Sequence, residues 1–386
     1  MKYLRLIVIA FILSIQISVF SSDIFNAGQI RGLWVVRYEI ITAARIDSLL
    51  KVAKKCHITD LFIQIRGRGD AFYNSHYETK SPLLKNGDFD PLSYLLSHAS
   101  LDSIRIHGWL NVFYVWSEDT LPKDKNHIVN KRKHWIAQPS NNASWLSDYP
   151  KSVQSANVEG LYVSPLHPEA QKHFLNILND ILDQYPLHGI HLDYIRYPDQ
   201  HFDFNPDIIK GFKNRHILNP RYFATNPELF AQKFSIAGYE VFSSYWRKFL
   251  MDGLSEFVQK IWKQIKSKHP QVLLSAAVKP DLVTAHWNYY QDWDRWLREG
   301  WLDFAAPMNY TAESELFRGR MEQYLDKLPA SKYAVGISLY NQTTEQVLRK
   351  IAQIEALPRV GFILFSYRQL QDKFVIQHYL RNNYKK

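Results

Sequence analysis

Cysteine is nearly absent from this chain of 386 residues, which contains a single one, Cys56. One thiol excludes an intrachain disulfide and any zinc or iron–sulfur site built from cysteines, because both need several thiolates at short spacing. A dinucleotide-binding motif is missing too, since no Gly-x-Gly-x-x-Gly follows the first predicted strand. The fold must therefore take its stability from the burial of apolar side chains.

A strong bias in polarity or charge is also lacking. Hydrophobic residues make up 46% of the chain and charged residues 22%, which argues against a disordered or fibrous protein. Lysine and arginine exceed aspartate and glutamate by 47 to 37, so a polyanionic partner has to be considered. The densest basic stretch, Lys123 to Lys133, falls in a predicted loop, where a solvated or substrate-rim segment is favoured over a nucleic-acid site.

Aromatic residues are abundant, with 11 Trp, 23 Tyr and 22 Phe. Some of these rings must build the core. Rings with a polar edge also suit sugar faces, because axial C–H groups pack on a ring while the hydroxyl groups seek donors and acceptors. The composition is therefore compatible with a carbohydrate ligand.

The N-terminus has the pattern of a signal peptide covering residues 1–21. Lys2 and Arg5 precede an apolar run from Leu6 to Phe20, and a small residue follows at the expected cleavage position. The run is shorter than the roughly 20 residues of a spanning helix, so a retained N-terminal anchor is the less favoured alternative. We expect a mature protein of residues 22–386 that is secreted or periplasmic and has no stable membrane insertion.

Short apolar runs alternate with segments of helical periodicity along the rest of the chain, which is the pattern of parallel strands covered by helices. Helices are predicted after Thr42 as a cap, from Pro168, and around Val347, Ile351 and Ile354. The predicted strands are Arg31–Arg37, Asp60–Arg66, Arg105–Val115, His188–Asp193, Val272–Lys279, Leu302–Met308, Tyr333–Leu339 and Gly361–Ser366.

Eight strand–helix units predict an α/β fold, a (β/α)8 TIM barrel that forms a single domain over residues 22–386. A doubly wound sheet is the structural alternative. Two connections are too long to be simple links, namely Trp116–Ser164 after the third strand and Tyr197–Ala237 after the fourth. Long loops in compact domains usually form lids or binding walls, and in a barrel both would lie at the catalytic face.

Polar side chains collect at the carboxyl ends of the predicted strands. Because side chains alternate along a strand, His191 and Asp193 should face the barrel axis while their apolar neighbours face the helices. An inward carboxylate at a strand tip is the usual seat of catalysis in this fold. The same alternation directs a further set of side chains toward the axis: Gln64, Arg66, Trp109, Asn111, Lys279, Tyr310 and Ser366.

Structural roles are the alternative for some of these residues. Asp193 could form an ion pair with Arg196, Arg66 or Lys279, and His191, one layer deeper, could be a hydrogen-bonded core histidine. We expect Arg66 to hold Asp193 or a substrate hydroxyl rather than transfer protons, because a guanidinium does not deprotonate.

The run His188–Pro198 (HGIHLDYIRYP) is similar to the strand-four signature of the bacterial glycosyl-hydrolase-like 10 family, secreted glycosidase-like proteins on TIM barrels. Further matches occur in the same order along nearly the whole mature chain: Arg31–Trp34, Phe62–Tyr73, Phe89–Leu92, His107–Asn111, Ala306–Pro307 with Tyr310, and Phe365–Leu370. Two departures affect the expected mechanism. Many relatives carry an acidic residue where this chain has Tyr194, and the fifth strand ends in Val278–Asp281 instead of a Ser-Pro-Phe-Gly type of run.

The resemblance implies glycoside hydrolysis in the cell envelope, with peptidoglycan glycan strands as the leading polysaccharide substrate and no cofactor. This chemistry normally needs two carboxyl groups across the scissile bond. Asp193 is the first, and amylase-type barrels favour a nucleophilic role for it by analogy alone. For the second, Glu313 is preferred narrowly over Asp281, while Asp70 could equally bind a sugar hydroxyl. Substrate-assisted hydrolysis, with one acid and an orienting Tyr310, is a further route.

Substrate binding is assigned to side chains that combine rings with amide, guanidinium, imidazole, carboxylate and phenol groups: Trp34, Arg66, Asp70, Asn111, Tyr114, Trp116, His191, Asn309 and Tyr310. For Trp34 and Tyr114, core packing is the competing interpretation. The main functional alternative is a non-catalytic carbohydrate-binding or envelope-scaffolding barrel. A metal-dependent deacetylase is disfavoured, because no close Asp/His pair suited to a metal is found on adjoining strand ends, so no metal site is assigned.

Overall fold

The computed structural model describes residues 25–84, 87–99, 103–141, 145–216 and 218–384. The predicted signal peptide, residues 1–21, lies outside these ranges. Eight parallel strands follow one another around a barrel: β1 (Arg31–Val35), β2 (Asp60–Arg66), β3 (Arg105–Asn111), β6 (Gly189–Asp193), β7 (Leu273–Val278), β8 (Phe304–Pro307), β9 (Ala334–Ser338) and β10 (Gly361–Phe365).

The strands are hydrogen-bonded in the order β8-β7-β6-β3-β2-β1-β10-β9. Two parallel bridges, Ala305 to Tyr333 and Met308 to Gly336, join the ends of this sheet and close the barrel. The predicted TIM barrel is therefore confirmed. The third predicted strand, Arg105–Val115, is divided, because β3 ends at Asn111 and the chain then forms β4 (Tyr114–Trp116). This strand pairs antiparallel with β5 (Leu161–Tyr162) in a separate ribbon.

Helices cover the outside of the barrel between its strands: α1 (Ala43–Lys55), α2 (Pro91–Ala99), α5 (Pro168–Gln184), α8 (Pro227–Lys268), α9 (Leu282–Tyr289), α10 (Trp293–Arg298), α11 (Ser314–Leu325), α12 (Thr344–Glu355), α13 (Tyr367–Gln371) and α14 (Phe374–Asn383). Their starts follow the predicted signals. The Thr42 side chain accepts a hydrogen bond from the backbone of Arg45 at the start of α1, and Pro168 opens α5. Within the described ranges, no helix has both the length and the apolar character needed to span a membrane.

The two long connections contain secondary structure of their own. The first, Trp116–Ser164, carries α3 (Ile128–Lys131), α4 (Lys151–Ser155) and β5. The second, Tyr197–Ala237, carries α6 (Pro206–His216), α7 (Arg221–Thr225) and the start of α8. Helix α8 is kinked at Ser235, whose φ of 71° is not helical.

Apolar side chains form two layers. The larger layer lies between the strands and the outer helices, while a smaller one fills the barrel itself and includes Trp34, Phe62, Trp109 and Phe304. Gly336 makes room for the Trp34 indole, because a Cβ at Gly336 would stand 2.9 Å from the ring. These side chains make the barrel interior a packed core.

A buried ion network fastens the amino-terminal ends of β2 and β3. Asp60 accepts hydrogen bonds from Nε and Nη2 of Arg105 at 2.7 and 2.8 Å, and Nε2 of His107 lies 2.9 Å from it. Burial alone would raise the pKa of Asp60, but the hydrogen bonds and charges of His107 and Arg105 outweigh it and lower the pKa to about 2. This end of the barrel is thus built for stability.

Candidate active site

A cavity of about 680 Å³ opens at the carboxyl ends of the barrel strands. This central cavity has the size typical of small-ligand sites and lies where TIM-barrel enzymes place their catalytic residues. It brings together six of the residues that the sequence predicted for the site: Trp34, Asn111, Tyr114, Asp193, Asp281 and Tyr310.

Asp193 ends β6 and is directed into the central cavity by the alternation of side chains along that strand. It is 8% exposed. Its Oδ2 accepts a hydrogen bond from Nε1 of Trp109 at 3.1 Å, and its Oδ1 accepts one from the backbone of Tyr194 at 2.7 Å. No ion pair to Asp193 occurs among the described residues, which argues against the purely structural role considered for it.

Desolvation is the main influence on the Asp193 carboxyl. It raises the pKa of Asp193 to about 6, and the negative charge of Glu159 acts in the same direction. The hydrogen bonds from Tyr194 and Trp109, together with the charge of Arg196, partly oppose this rise. At neutral or mildly acidic pH the group can therefore exchange its proton, as a general acid must.

Tyr194 turns the chain sharply after β6. Its φ of 51° places a non-glycine residue in the left-handed region, which is uncommon and found often at functional sites. The turn directs its backbone N–H to Asp193, and its ring stacks on Tyr114 at 4.6 Å between centroids. Tyr194 thus forms an aromatic wall of the cavity at the position where the family resemblance predicts an acidic residue.

A second carboxyl group in the central cavity belongs to Glu159, two residues before β5. It accepts hydrogen bonds from Nη2 of Arg196 at 2.8 Å and from the hydroxyl of Tyr162 at 2.5 Å. Burial alone would raise the pKa of Glu159, but the charge of Arg196 and these hydrogen bonds outweigh it, so its pKa lies below the ordinary value. Glu159 is therefore held as a carboxylate beside the readily protonated Asp193.

Lys279 supplies a positive charge to the same cavity, as its inward position on the fifth barrel strand predicted. Its Nζ lies 4.2 Å from the centre of the Tyr289 ring. Desolvation, followed by the charge of Arg196, lowers the pKa of Lys279 to about 8. A polar rim of both signs therefore surrounds Asp193.

Two aromatic side chains shape the floor of the cavity. Trp34 donates its Nε1–H to Nε2 of His191 at 3.1 Å and meets the Tyr310 ring edge-on at 6.3 Å. Burial raises the pKa of Tyr310 well above its ordinary value, and the negative charge of Asp193 adds to the effect. The phenol of Tyr310 thus stays protonated and can donate a hydrogen bond.

Asn111 is fixed by its neighbours within the cavity wall. Its amide donates to the carbonyl of Gly67 at 2.8 Å and accepts from Nε1 of Trp109 at 3.1 Å and from Gln64 at 3.4 Å. Gln64 in turn accepts a hydrogen bond from Arg37 at 2.8 Å. These bonds tie β2 and β3 together and hold Trp109 against Asp193.

The expectation that Arg66 faces the barrel axis is wrong. A register shift between Gln64 and Arg66 places Arg66 opposite Leu110 of β3, whose side chain packs in the outer layer. The guanidinium pairs with Glu78 at 2.6 Å and lies over the ring of Phe174 in α5. A local bulge of this kind reverses the direction of a side chain, so Arg66 does not line the central cavity.

His191 and Asn309 are both fully buried and do not line the central cavity. His191 lies one layer deeper, between Trp34 and the Ser275 hydroxyl at 2.9 Å. Burial lowers the pKa of His191 well below its ordinary value. Asn309 donates to the carbonyl of Phe317 at 2.9 Å. Both positions differ from the substrate-contacting ones expected for them.

Asp70 and Trp116 lie in a second cavity of about 600 Å³, which shares Arg37 and Arg68 with the central one. We call it the side cavity. Asp70 accepts a hydrogen bond from the backbone of Arg68 at 2.9 Å, and Trp116 donates to the carbonyl of Thr120 at 2.7 Å. They are therefore beside the candidate active site and not within it.

The two residues predicted as the second carboxyl are placed differently. Asp281 lines the central cavity, but its carboxylate caps α9 by accepting a hydrogen bond from the backbone of Thr284 at 2.7 Å. Glu313 is the residue directly before α11, its side chain is exposed, and it does not line the cavity.

Sequence reasoning missed Glu159. Its only signal was its position in the Trp116–Ser164 connection, which was expected to form a binding wall and does contribute Glu159 to the cavity. The pairing of β5 with β4, which brings Glu159 over the barrel, is a contact between distant segments that alternation along one strand does not reveal.

One group of potential metal ligands lies outside the central cavity. Ligand atoms of His286, Asp292 and Asp294 are within 4.8 Å of one another on α9 and α10. These groups are already neutralised by their neighbours, because His286 pairs with Asp294 at 2.7 Å and Arg298 pairs with it at 2.6 Å. The geometry is that of an ion-pair network on the outer helices.

Solved structures with this fold include two carbohydrate-active domains. The glycoside hydrolase domain of PgaB (BpsB) from Bordetella bronchiseptica is 12% identical, with a TM-score of 0.68 over 92% of this chain and 99% of that domain. The catalytic domain of β-amylase from Paenibacillus polymyxa is 10% identical, with a TM-score of 0.60 over 94% of this chain and 100% of that domain. At these identities the likeness establishes the fold.

Sequence comparison finds curated relatives as well. Glycosyl hydrolase YngK of Bacillus subtilis is 24% identical over 287 residues, which are 68% of this chain and 48% of that protein. Glycosyl hydrolase DigH of Escherichia coli is 22% identical over 302 residues, 71% of this chain and 59% of that protein. This chain thus spans about half of the length of the first relative. Residues 29–355 match the sequence profile described as glycosyl hydrolase-like 10, and the chain belongs to that family.

Proposed function

We propose that this protein is a glycoside hydrolase that cleaves a polysaccharide, with peptidoglycan glycan strands as the leading substrate. The observation that carries the proposal is Asp193, a desolvated carboxyl with a pKa of about 6 at the base of an open cavity. The family and the fold of the chain support the same reaction class.

Asp193 acts as the general acid in this proposal. Protonation of the glycosidic oxygen needs a carboxyl group that still carries its proton near working pH. The raised pKa of Asp193 supports this role over the nucleophilic one, for which a permanently ionised carboxylate is better suited. Trp109 and Tyr194 hold the carboxyl in place with one hydrogen bond to each oxygen.

Glu159 is the second carboxyl. Two carboxyl groups whose environments separate their pKa values are the usual mark of an acid–base pair, and here the pKa of Asp193 is raised while that of Glu159 is lowered. As a carboxylate, Glu159 stabilises the positive charge that develops at the anomeric carbon or activates the incoming water. Asp281 is less suited because it caps a helix.

Aromatic and amide groups position the sugar. Tyr114 and Tyr310 line the same cavity as Asp193 and offer ring faces and phenols, and Trp34 packs against Tyr310 at the floor. The N-acetyl group of an amino sugar would find hydrogen-bond donors in the phenol of Tyr310 and the ammonium of Lys279. Amino-sugar polymers, of which peptidoglycan is the expected one, therefore fit the cavity chemistry.

The decisive experiment compares wild type with Asp193→Asn on peptide-free peptidoglycan strands and on chitin oligosaccharides. Mass spectrometry of the released fragments measures cleavage, and calorimetry measures binding. Removing the acid should lower kcat/KM by roughly 10² to 10⁴ while binding persists. Glu313→Gln is the matched control, because its side chain is exposed and outside the cavity, and it should change the rate less than about twofold.

Wild-type protein that binds these glycans and never cleaves them would contradict the proposal. The same outcome would support the alternative of a non-catalytic carbohydrate-binding or envelope-scaffolding barrel.

We further propose that the protein works outside the cytoplasm, in the periplasm or as a secreted enzyme. Lys2 and Arg5 before the Leu6–Phe20 run support export through a signal peptide. A polysaccharide of the cell wall would then be within reach.

A further inference from the structure

A third cavity, of about 300 Å³, lies beside the central one. We call it the outer cavity. It is formed by the connection after β6, by α8, by the end of α9 and by Ser140 of the Trp116–Ser164 connection. Neighbouring residues separate the two spaces, because Tyr289 lines the central cavity and Tyr290 lines the outer one. The outer cavity thus lies next to the candidate active site without belonging to it.

Trp287 and Arg247 form one wall of the outer cavity. The Trp287 side chain is 51% exposed, and the guanidinium carbon of Arg247 stands 3.7 Å from the centre of its ring. An exposed indole face is a surface on which a sugar ring packs. The guanidinium of Arg247 covers part of one indole face and is held there in a fixed orientation. A sugar ring would therefore pack on the part of the half-exposed indole that Arg247 leaves uncovered.

Arg247 has no counter-charge among the residues that the structure describes. Its guanidinium makes no ion pair or hydrogen bond within the part of the chain that the structure describes, and burial lowers its pKa. The described side chains that line the outer cavity include Arg247 and His201 but no carboxylate. A half-buried guanidinium without a partner is an arrangement that a carboxylate ligand would complete.

Further unused hydrogen-bonding groups border the same space. Trp246 is 4% exposed, and its Nε1–H finds no acceptor among the described residues. The Ser243 hydroxyl, one helical turn earlier, is likewise buried without a described partner. Both atoms have almost no accessible surface, so a ligand in the outer cavity would meet the Arg247 guanidinium and not these two groups.

We propose that the outer cavity binds a sugar residue that carries a carboxylate, with Trp287 packing on the ring and Arg247 pairing with the carboxylate. The inference rests on the proposed function in one respect, namely that the ligand is a glycan. It deepens that function, because a glycan strand bound at Asp193 would have a second binding position for its acidic sugars in the outer cavity.

Two ligands with similar backbones test the proposal. Peptide-free peptidoglycan strands and chitin hexasaccharide are both β-1,4-linked amino-sugar chains, but only the first carries lactyl carboxylates. Binding is measured by calorimetry on the full chain with Asp193→Asn, so that cleavage does not interfere. We expect Arg247→Gln to weaken binding of the peptidoglycan strands about tenfold and leave chitin binding unchanged. Trp287→Ala should weaken both.

Arg349→Gln and Phe374→Ala are the matched controls, since both residues are exposed on the outer helices α12 and α14 and should leave both affinities unchanged. Equal affinity of Arg247→Gln and its parent for the peptidoglycan strands overturns the inference. An equal loss on both ligands overturns it as well, because the guanidinium would then not be recognising a carboxylate.

The result is separable from the proposed function. Cleavage by wild type, combined with binding that does not depend on Arg247, removes this inference and leaves the hydrolase standing. If the wild-type protein cleaves neither glycan but its binding depends on Arg247, the proposed hydrolase function is removed and this inference stands.

Discussion

Asp60 and Asp193 show that the same type of side chain can either stabilise the barrel or exchange a proton. Both are buried at the end of a strand. Asp60, at the amino-terminal end, meets Arg105 and His107 and has a pKa of about 2. Asp193, at the carboxyl end, has neutral N–H donors and no ion pair among the described residues, and its pKa is about 6. The partners and not the burial decide whether the carboxyl stabilises the fold or exchanges protons.

Trp109→Phe tests the assignment of Asp193 as the acid. The acid must be protonated, so kcat/KM should fall as the pH rises above the pKa of about 6. Loss of the indole N–H removes a hydrogen bond that favours the carboxylate, so the pKa of Asp193 should rise and the alkaline limb of the pH profile should move to higher pH. Glu159→Gln should move it to lower pH, because a neighbouring negative charge is removed.

The profile of kcat/KM against pH measures both shifts. Trp145→Phe is the matched control, because Trp145 lies in the Trp116–Ser164 connection and does not line the central cavity. A limb that stays in place in all three variants would contradict the role of Asp193 as the titrating acid.

Asp60→Asn should destabilise the protein by about 3–5 kcal/mol at pH 7, because it leaves Arg105 and His107 without their buried partner. The pKa of Asp60 is lower in the folded protein than in the unfolded chain. Its stabilising effect is therefore present above about pH 4 and lost as the pH falls toward about 2. Urea unfolding at pH 7 and pH 3 should give a smaller difference between variant and wild type at the lower pH.

Glu315→Gln is the control for this measurement. Its pair with Arg318 is on the surface, so its removal should change the free energy of unfolding by less than about 1 kcal/mol at either pH. An Asp60→Asn variant as stable as this control would show that the network contributes nothing.

At the scale of the elements, alternation along a strand was enough to place Asp193. The strand boundaries and the inward direction of its side chain follow from local pattern alone, and the same holds for Asn111 and Lys279. The direction of the Arg66 side chain could not be predicted in this way, because it depends on a register shift in the pairing of β2 with β3. The position of Glu159 could not be predicted either, because it depends on the pairing of β4 with β5, which are distant in sequence.

The ribbon of β4 and β5 carries Glu159 to the cavity, and Gly160 is its tightest point. A Cβ at Gly160 would stand 2.1 Å from the backbone oxygen of Trp116 on β4, closer than any atom can approach. Gly160→Ala should therefore displace Glu159 and lower kcat more than about tenfold, while the barrel stays folded. Enzyme assays and thermal melting together measure the two effects.

Gly319→Ala is the matched change in α11. A Cβ there meets nothing within 4 Å, so the activity should stay unchanged and the stability should rise by about 0.5–1 kcal/mol. If Gly160→Ala retained full activity with an unchanged melting temperature, the ribbon would not be what positions Glu159.

In the whole molecule, the buried stabilising network and the candidate active site lie at opposite ends of the barrel axis. The buried Asp60 network lies at the amino-terminal ends of β2 and β3, and the central cavity lies at the carboxyl ends of the strands, with the side cavity and the outer cavity next to it. No intrachain disulfide can form, because the chain has a single cysteine, and Cys56 is buried at the end of α1. Burial raises the pKa of its thiol to about 11, which keeps the reactive thiolate scarce.

Export should therefore leave the barrel unchanged, and this can be measured on the whole chain. Expressed in a Gram-negative host, the full sequence should appear in the periplasmic fraction with residues 1–21 removed, as N-terminal sequencing and intact mass would report. Deletion of residues 2–20 should keep the protein in the cytoplasm with the same melting temperature, since the first barrel strand begins only at Arg31. A reducing agent should not alter that temperature, because only one thiol exists. Recovery of the full-length mass in the membrane fraction would instead identify the Leu6–Phe20 run as a retained anchor.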